Sequence, residues 1–173
     1  MTTTHRTLRW CAALALLVAC VGCDQVTKQM AQSQLRDRAP QSYCGNLLRL
    51  EYAENPGGFL GLGGQLSSST RWVVFVLANT LVAIAIAGSL VWRASMSRLE
   101  MLALVLILSG ALGNLVDRVR FEGLVIDFLN LGIGPLRTGI FNVADMAVML
   151  GTLLLAWRMG GASRTAAIGP TSN

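Results

Sequence analysis

The sequence has little charge for its length. Charged residues make up 13% of the 173 positions and hydrophobic residues 53%, and the mean hydropathy is +0.55. Soluble domains carry about a quarter of their residues as charges, so the composition excludes that class and predicts one membrane domain. The net charge is +5, but no basic run or aromatic-interleaved basic patch concentrates it, which argues against a nucleic-acid partner.

Residues that commonly bind metals are scarce as well. His5 is the only histidine, and the cysteines include a single C-x-x-C pair, Cys20 and Cys23. Because a structural zinc site needs a larger set of such ligands, we expect no metal and no cofactor. Cys23 and Cys44 could pair if their side of the membrane is oxidising. Leu17 to Cys20 resembles a lipoprotein cleavage box, but the three apolar runs that follow favour a retained helix.

The apolar residues form long runs that predict four transmembrane helices, at residues 8–23, 72–92, 99–116 and 140–157. The last three runs would be roughly 27–31 Å long as helices, close to the hydrocarbon thickness of a bilayer. Trp72 and Trp92 flank the second run and Trp157 closes the fourth, as interfacial aromatics do. We therefore predict an all-α polytopic protein.

Two outer loops, residues 24–71 and 117–139, connect these helices. In the first loop, residues 29–38 look helical, and the alternation after Leu48 predicts a strand. The segment Asn55-Pro56-Gly57-Gly58-Phe59 that follows is interpreted either as a tight turn or as part of a site. No phosphate-loop lysine follows it, which argues against a nucleotide.

The basic residues leave the orientation open. With both termini inside, the inner segments would hold six basic residues and the outer segments eight. Eight of the nine acidic residues would lie outside, so the whole net charge would fall inside. The positive-inside rule counts basic residues rather than net charge, so charge alone does not decide between the two orientations.

Polar residues interrupt the apolar pattern at a few positions, all near the outer ends of their segments. They are Asp24, Lys28, Asn114, Asp117, Arg118, Asp127, Asn142 and Asp145. The spacing of Asp24 and Lys28 suits either a surface ion pair or a fixed cation within a site. Asp127 lies in an apolar run that is too short to span, residues 123–129, and we expect this run to lie along or dip into the membrane interface.

Such groups are costly in a membrane unless they are paired, and they usually mark a working site. Two carboxylates brought together without a histidine suit an aspartic mechanism. One Asp would take a proton from water while the other, protonated, polarises a carbonyl. Taken alone, however, Asp127 could simply cap a turn.

Together these residues form ordered motifs. The motifs are Asp24-x-x-x-Lys28, Asn55-x-Gly57-x-Phe59, Gly110-x-x-x-Asn114-x-x-Asp117-Arg118, Val125-x-Asp127-Phe128 and Phe141-Asn142-x-Ala144-Asp145. In order and spacing they resemble lipoprotein signal peptidase, also called signal peptidase II. The resemblance implies an aspartic endopeptidase of the bacterial inner membrane, the target of globomycin. This enzyme removes signal peptides from prolipoproteins just before a cysteine that carries diacylglycerol.

The resemblance also implies roles for particular residues. Asp127 and Asp145 would be the catalytic pair, and the supporting residues would be Asp24, Lys28, Asn55, Gly57, Phe59, Gly110, Asn114, Arg118 and Asn142. A small β-rich cradle and a short surface helix would lie in the first outer loop. Both termini would be cytoplasmic, with the site near the periplasmic face, and the protein would be a monomer surrounded by phospholipid. Pro56, Gly58 and Met146 depart from the family pattern.

Two other functions suit some of the same residues. Carboxylates gathered in a small helical bundle also build ion-binding or transport proteins. However, transport requires polar groups along the whole path, and the inner half of this chain is almost bare of them. A serine-lysine peptidase would instead use Lys28 with a hydroxyl such as that of Ser109.

Overall fold

A computed structural model describes residues 3–58, 65–93 and 96–167. The helices are α1 (Thr3–Leu35), α2 (Ser68–Trp92), α3 (Arg98–Arg120) and α4 (Val143–Ala167). The strands are β1 (Gln41–Tyr43), β2 (Leu48–Asn55), β3 (Val125–Ile133) and β4 (Leu136–Arg137). All four helices are long and apolar enough to cross a membrane. The prediction of four membrane-spanning helices with a small β-rich part is therefore confirmed.

Helix α3 lies at the centre, and α1, α2 and α4 all pack against it. Small residues let its neighbours approach closely. A Cβ atom added to Gly110 would lie 2.3 Å from the carbonyl oxygen of Ala144, and one added to Gly113 would lie 2.6 Å from Oδ2 of Asp24. These two glycines therefore bring α4 and the polar part of α1 into contact with the same stretch of α3.

Helix α1 is longer than its apolar run. The run ends at Cys23, but the helix continues to Leu35, because residues 24–35 contain no glycine or proline. The last turns are also held by packing, since Ala31 and Leu35 form a buried cluster with Phe128 of β3. The helical piece predicted at residues 29–38 is thus the end of α1. The described part of the loop contains no separate surface helix, and residues 59–64 lie outside it.

The strands form one antiparallel sheet in the order β1-β2-β3-β4. Strand β2 confirms the strand predicted after Leu48. The apolar run 123–129, for which the sequence predicted no strand, contributes the first half of β3. Residues Val125, Ile126 and Phe128 are all buried, so the strand is covered on both faces and shows no alternation. Its register with β2 places Asp127 opposite Ala53.

We predict that Gly110→Ala lowers stability, because its Cβ would overlap the backbone of Ala144. Overpacking of this kind costs about 1–3 kcal/mol, which thermal unfolding in detergent would detect as a lower melting temperature. Gly22→Ala is the matched control, because no described atom outside the neighbouring backbone of α1 lies within 4 Å of the Cβ position at Gly22. Equal melting temperatures for the two variants would contradict the close approach of α3 and α4.

Candidate active site

Asp127 lies on β3 with its side chain 1% exposed. Its Oδ2 atom accepts a hydrogen bond from Asn55 Nδ2 at 2.8 Å, and its Oδ1 atom accepts one from Asn142 Nδ2 at 2.7 Å. Asn55 pairs with Val125 at the end of β2, so it is the diagonal neighbour of Asp127 across the sheet. Burial raises the pKa of the Asp127 carboxyl to about 7, and the bonds from the two asparagines oppose this shift.

Asp145 lies in the first turn of α4, and Asn142 precedes the helix. The two residues cap each other in the manner of a capping box. Asn142 Oδ1 accepts from the backbone N–H of Asp145 at 2.9 Å, and Asp145 Oδ2 accepts from the backbone N–H of Asn142 at 3.2 Å. The other oxygen of Asp145, Oδ1, accepts from Asn114 Nδ2 at 2.9 Å. The helix start therefore fixes the orientation of this carboxylate.

Asn142 connects the two aspartates. Its side chain is fully buried, and its amide nitrogen bonds Asp127 while its amide oxygen receives the N–H of Asp145. The same nitrogen also lies 3.1 Å from Asn114 Oδ1 and 3.3 Å from the carbonyl oxygen of Ile126. Asp127 and Asp145, the two candidate catalytic residues from the sequence, therefore both contact one asparagine, although one lies on a strand and the other on a helix.

Lys28 lies behind this asparagine cluster. Its side chain is 2% exposed, which rules out the alternative of a surface ion pair. Its Nζ atom lies 2.8 Å from Asp24 Oδ2, 2.9 Å from Asp117 Oδ2 and 2.9 Å from Asn114 Oδ1. An ammonium group has three donors, so all of them are used. Because lysine only donates, Asn114 must turn its oxygen toward Lys28 and its NH₂ toward Asp145.

Asp24 and Asp117 each hold a backbone group beside the aspartate pair. Asp24 Oδ1 accepts from the N–H of Ala144 at 2.9 Å, and Asp117 Oδ2 accepts from the N–H of Ile126 at 3.1 Å. Gln25 Nε2 bonds both carboxylates, at 3.2 Å to Asp24 and 2.9 Å to Asp117. The buried carboxylates therefore position the residues that precede Asp145 and Asp127 in the chain.

Asp117 and Gln25 were not among the supporting residues that the family resemblance implied. The sequence could have identified Asp117 as a site residue, because it lies one helical turn beyond Asn114 on the same face. Nothing in the sequence identifies Gln25 as a site residue, since a lone glutamine after Asp24 is compatible with any polar helix end. Gly110, which was among the implied supporting residues, contacts the backbone of Ala144 and so supports the site through helix packing.

Arg118 links the first outer loop to α3. Its Nη2 atom donates to the carbonyl oxygen of Gly57 at 3.0 Å, and its guanidinium lies 5.5 Å from the centre of the Phe75 ring. The loop is folded back at this point, because the N–H of Gly57 donates to Asn55 Oδ1 at 2.9 Å. Arg118 Nε is buried and bonds no acceptor in the described ranges. Phe59, another predicted site residue, lies outside these ranges.

The two candidate catalytic aspartates are surrounded by amide donors. Each of their four oxygens accepts one N–H bond from an asparagine side chain or backbone. No lysine or arginine that the structure describes lies within 4 Å of either carboxylate, in contrast to Asp24 and Asp117. A directly bonded cation lowers the pKa of a carboxyl strongly. Amide donors orient the group with a smaller effect, so the pair is suited to hold a proton.

Other predicted groups do not join this site. The hydroxyl of Ser109 donates to the carbonyl oxygen of Leu106 within its own helix at 2.9 Å. Because Lys28 is fully bonded elsewhere, the serine-lysine alternative has no support. Cys23 and Cys44 are both free thiols, so they do not form the disulfide considered above. Among the described residues, no group of three His, Cys, Asp or Glu side chains could hold a metal ion.

Solved structures share this architecture. A bacterial membrane enzyme solved by the in meso method at 2.3 Å resolution matches with a TM-score of 0.77 at 24% identity, over 94% of this chain and 93% of that one. A second, solved by the same method at 1.9 Å resolution, matches with a TM-score of 0.73 at 26% identity, over 86% and 92% of the two chains. The fold is therefore that of a multi-pass membrane protein.

Sequence relatives give the family. Residues 16–160 match signal peptidase (SPase) II. Lipoprotein signal peptidase from Moorella thermoacetica is 40% identical over 146 residues, which are 84% of this chain and 89% of that protein. The same enzyme from Sphingopyxis alaskensis is 41% identical over 150 residues, 85% and 81% of the two chains. The chain belongs to the signal peptidase II family of peptidases, which remove signal peptides from prolipoproteins. The ion-transport alternative therefore loses its support.

We predict that Lys28→Met is strongly destabilising. The substitution would leave the buried carboxylates of Asp24 and Asp117 without their shared cation, and breaking a buried ion pair in this way costs about 3–5 kcal/mol. Arg36→Met is the control, because the Arg36–Glu54 pair is 53% and 38% exposed and such pairs contribute about 1 kcal/mol or less. Thermal unfolding in detergent would compare the two variants. Similar losses would show that Lys28 is not essential to the fold.

We predict that Asp127 makes stability depend on pH. The pKa of its carboxyl is about 7 in the folded protein and about 3.9 in an unfolded chain. The folded state therefore binds more protons between these values, and the free energy of unfolding should fall as pH rises from about 4 to about 7. Asp127→Asn should remove this part of the slope when melting temperatures are measured across the range. Parallel wild-type and variant curves would contradict the raised pKa.

Proposed function

We propose that this protein cleaves diacylglyceryl-modified prolipoproteins by an aspartic mechanism, just before the lipid-modified cysteine. Asp127 and Asp145 would be the catalytic residues. The observation that carries the proposal is their shared partner, because both carboxyl groups bond Asn142 and neither bonds a cation within 4 Å in the described ranges. This arrangement supports a pair that shares one proton, and the pair would titrate with macroscopic pKa values of its own.

The reaction would use the pair as base and acid together. The ionised carboxylate takes a proton from water, and the water oxygen attacks the carbonyl carbon of the scissile peptide bond. The protonated partner at the same time gives its proton to the carbonyl oxygen. When the tetrahedral intermediate collapses, the C–N bond breaks and the leaving amine takes the proton that the pair holds. One hydroxyl of the intermediate returns its proton to the pair as the new carbonyl forms. The pair then holds one proton again, so the cycle closes.

Neighbouring groups would position the substrate. Asn55, Asn114 and Asn142 hold both carboxyl groups in place, which lowers the entropy cost of reaching the transition state. Arg118 Nε is a buried N–H group without an acceptor in the described part of the chain, and we assign it as a donor to a substrate carbonyl. Gly57, bonded to Arg118, would hold the turn after β2 beside the peptide.

The location of the site suits a lipid-anchored substrate. The aspartates lie at the start of α4 and on the adjoining strand, which places them at one end of the membrane span. We propose that this end faces the periplasm and that both termini lie in the cytoplasm, with the protein in the bacterial inner membrane. The short α2–α3 connection at the other end carries Arg93 and Arg98, in keeping with the positive-inside rule.

We predict that Asp127→Asn and Asp145→Asn each abolish cleavage of a diacylglyceryl-modified prolipoprotein in detergent. Each variant keeps the shape of the side chain but cannot exchange a proton, and proton transfer by a positioned group contributes roughly 10²–10⁴-fold. Asp37→Asn is the matched control, because Asp37 is exposed and lies outside the cluster. It should cleave at the wild-type rate, and melting temperatures would show that all three variants are folded.

The same assay tests the substrate class. Wild-type protein should cleave the lipid-modified substrate and leave the unmodified one intact, and globomycin should inhibit it. Cleavage at the wild-type rate by either active-site variant would overturn the aspartic mechanism. Equal cleavage of both substrates would overturn the requirement for diacylglycerol while leaving the mechanism in place.

A further inference from the structure

An apolar groove runs between α1 and α3 at the end of the bundle away from the aspartates. It has a volume of about 220 Å³, and matching helix faces line it, from Arg9 to Leu16 on α1 and from Arg98 to Val105 on α3. Each face begins with an arginine and continues with apolar side chains. The groove is therefore amphipathic along its length, with both positive charges at the same end.

Its length fits within one leaflet of a bilayer. Arg98 and Asn114 are sixteen residues apart on α3, or about 24 Å along the helix axis, so the groove opens at the opposite membrane surface from the site. The stretch from Arg9 to Leu16 rises about 10 Å. One leaflet contributes about 15 Å of hydrocarbon depth. An acyl chain lying in the groove would therefore have its head group beside the two arginines.

Neither arginine forms an ion pair with an acidic side chain in the described part of the chain. At this end of the bundle the buried carboxylate is Glu100, and its oxygens bond Arg93 at 2.8 Å and Arg158 at 3.2 Å. Arg9 and Arg98 have no carboxylate within 4 Å in the described ranges. Arg9 Nη2 instead donates to the carbonyl oxygen of Met96 at 2.9 Å, which holds the guanidinium near the mouth of the groove. Arg98 lies in the first turn of α3, where the helix dipole disfavours a cation and favours an anion.

We propose that this groove is a binding site for an anionic phospholipid of the leaflet opposite the aspartates. One acyl chain occupies the apolar slot beside Ala12, and the phosphate lies between Arg9 and Arg98. Basic pockets between membrane helices bind anionic head groups in this way. Binding here requires both an anionic head group at the mouth of the groove and an acyl chain in its apolar slot. This requirement distinguishes the site from nonspecific contacts with the lipid that surrounds any membrane protein. The proposal does not depend on the peptidase mechanism.

Native mass spectrometry of the full chain in a neutral detergent would test the site. The probes are phosphatidylglycerol and phosphatidylcholine with identical acyl chains, added one at a time. Wild-type protein should retain phosphatidylglycerol preferentially. Arg9→Gln with Arg98→Gln should weaken phosphatidylglycerol binding by roughly tenfold or more, as expected for the loss of two surface cations. Arg36→Gln with Arg38→Gln removes the same charge from the other end of the molecule and should leave the preference intact.

A second pair of variants tests the acyl slot. Ala12→Phe would fill the groove from its exposed wall and should weaken both lipids, whereas Ala15→Phe, on an exposed part of α1 outside the groove, should not. Glycerol phosphate, a head group without a chain, should not bind. Three results would overturn the proposal: equal retention of the two lipids by wild-type protein, unchanged binding by the double arginine variant, or equal effects of the two phenylalanine variants.

Discussion

The arrangement of the site depends on one buried cation, the ammonium group of Lys28. Removing such an ion from water costs several kcal/mol unless partners surround it, so three acceptors converge on it: Asp24, Asp117 and Asn114. Each acceptor then holds another part of the site. They bond the backbone of Ala144 in the first turn of α4, the backbone of Ile126 in β3, and the carboxylate of Asp145. The solvation requirement of one charge thus fixes α1, α3, α4 and β3 relative to each other.

Asparagines, and not a direct ion pair, connect the cation to the two candidate catalytic aspartates. Asn114 lies between Lys28 and Asp145, and Asn142 lies between the two carboxyl groups. A direct salt bridge would hold a carboxylate in its ionised form. An asparagine amide that bonds both the cation and the carboxyl group fixes their relative positions but leaves the carboxyl group able to bind a proton. The same site can therefore be rigid, because its supporting charges are paired, and still contain a carboxyl whose pKa lies near neutrality, as at Asp127.

Local sequence patterns predicted the four helices and strand β2, but they did not predict strand β3 or the burial of Lys28. Four apolar runs and the alternation after Leu48 were enough for the helices and β2, because hydrophobic period is a local property. Strand β3 was missed because both of its faces are buried, which removes the alternation. The sequence also did not decide whether Lys28 belongs to a surface ion pair or to a buried site. Burial is decided by partners that are distant along the chain, such as Asp117, and spacing within one helix does not reveal them.

The central helix separates the two ends of the molecule. Between Glu100 and Asp117, α3 contains no charged residue over about 25 Å of its axis. Each end therefore compensates its buried charge locally, Glu100 with the arginines of α2 and α4 and Asp117 with Lys28. Ser109 and Asn114 are the only polar side chains of α3 between these two acids, so no chain of side-chain hydrogen bonds along α3 connects the two ends. The proposed catalytic pair and the proposed lipid site would thus lie at opposite ends of α3, each beside its own set of charged residues.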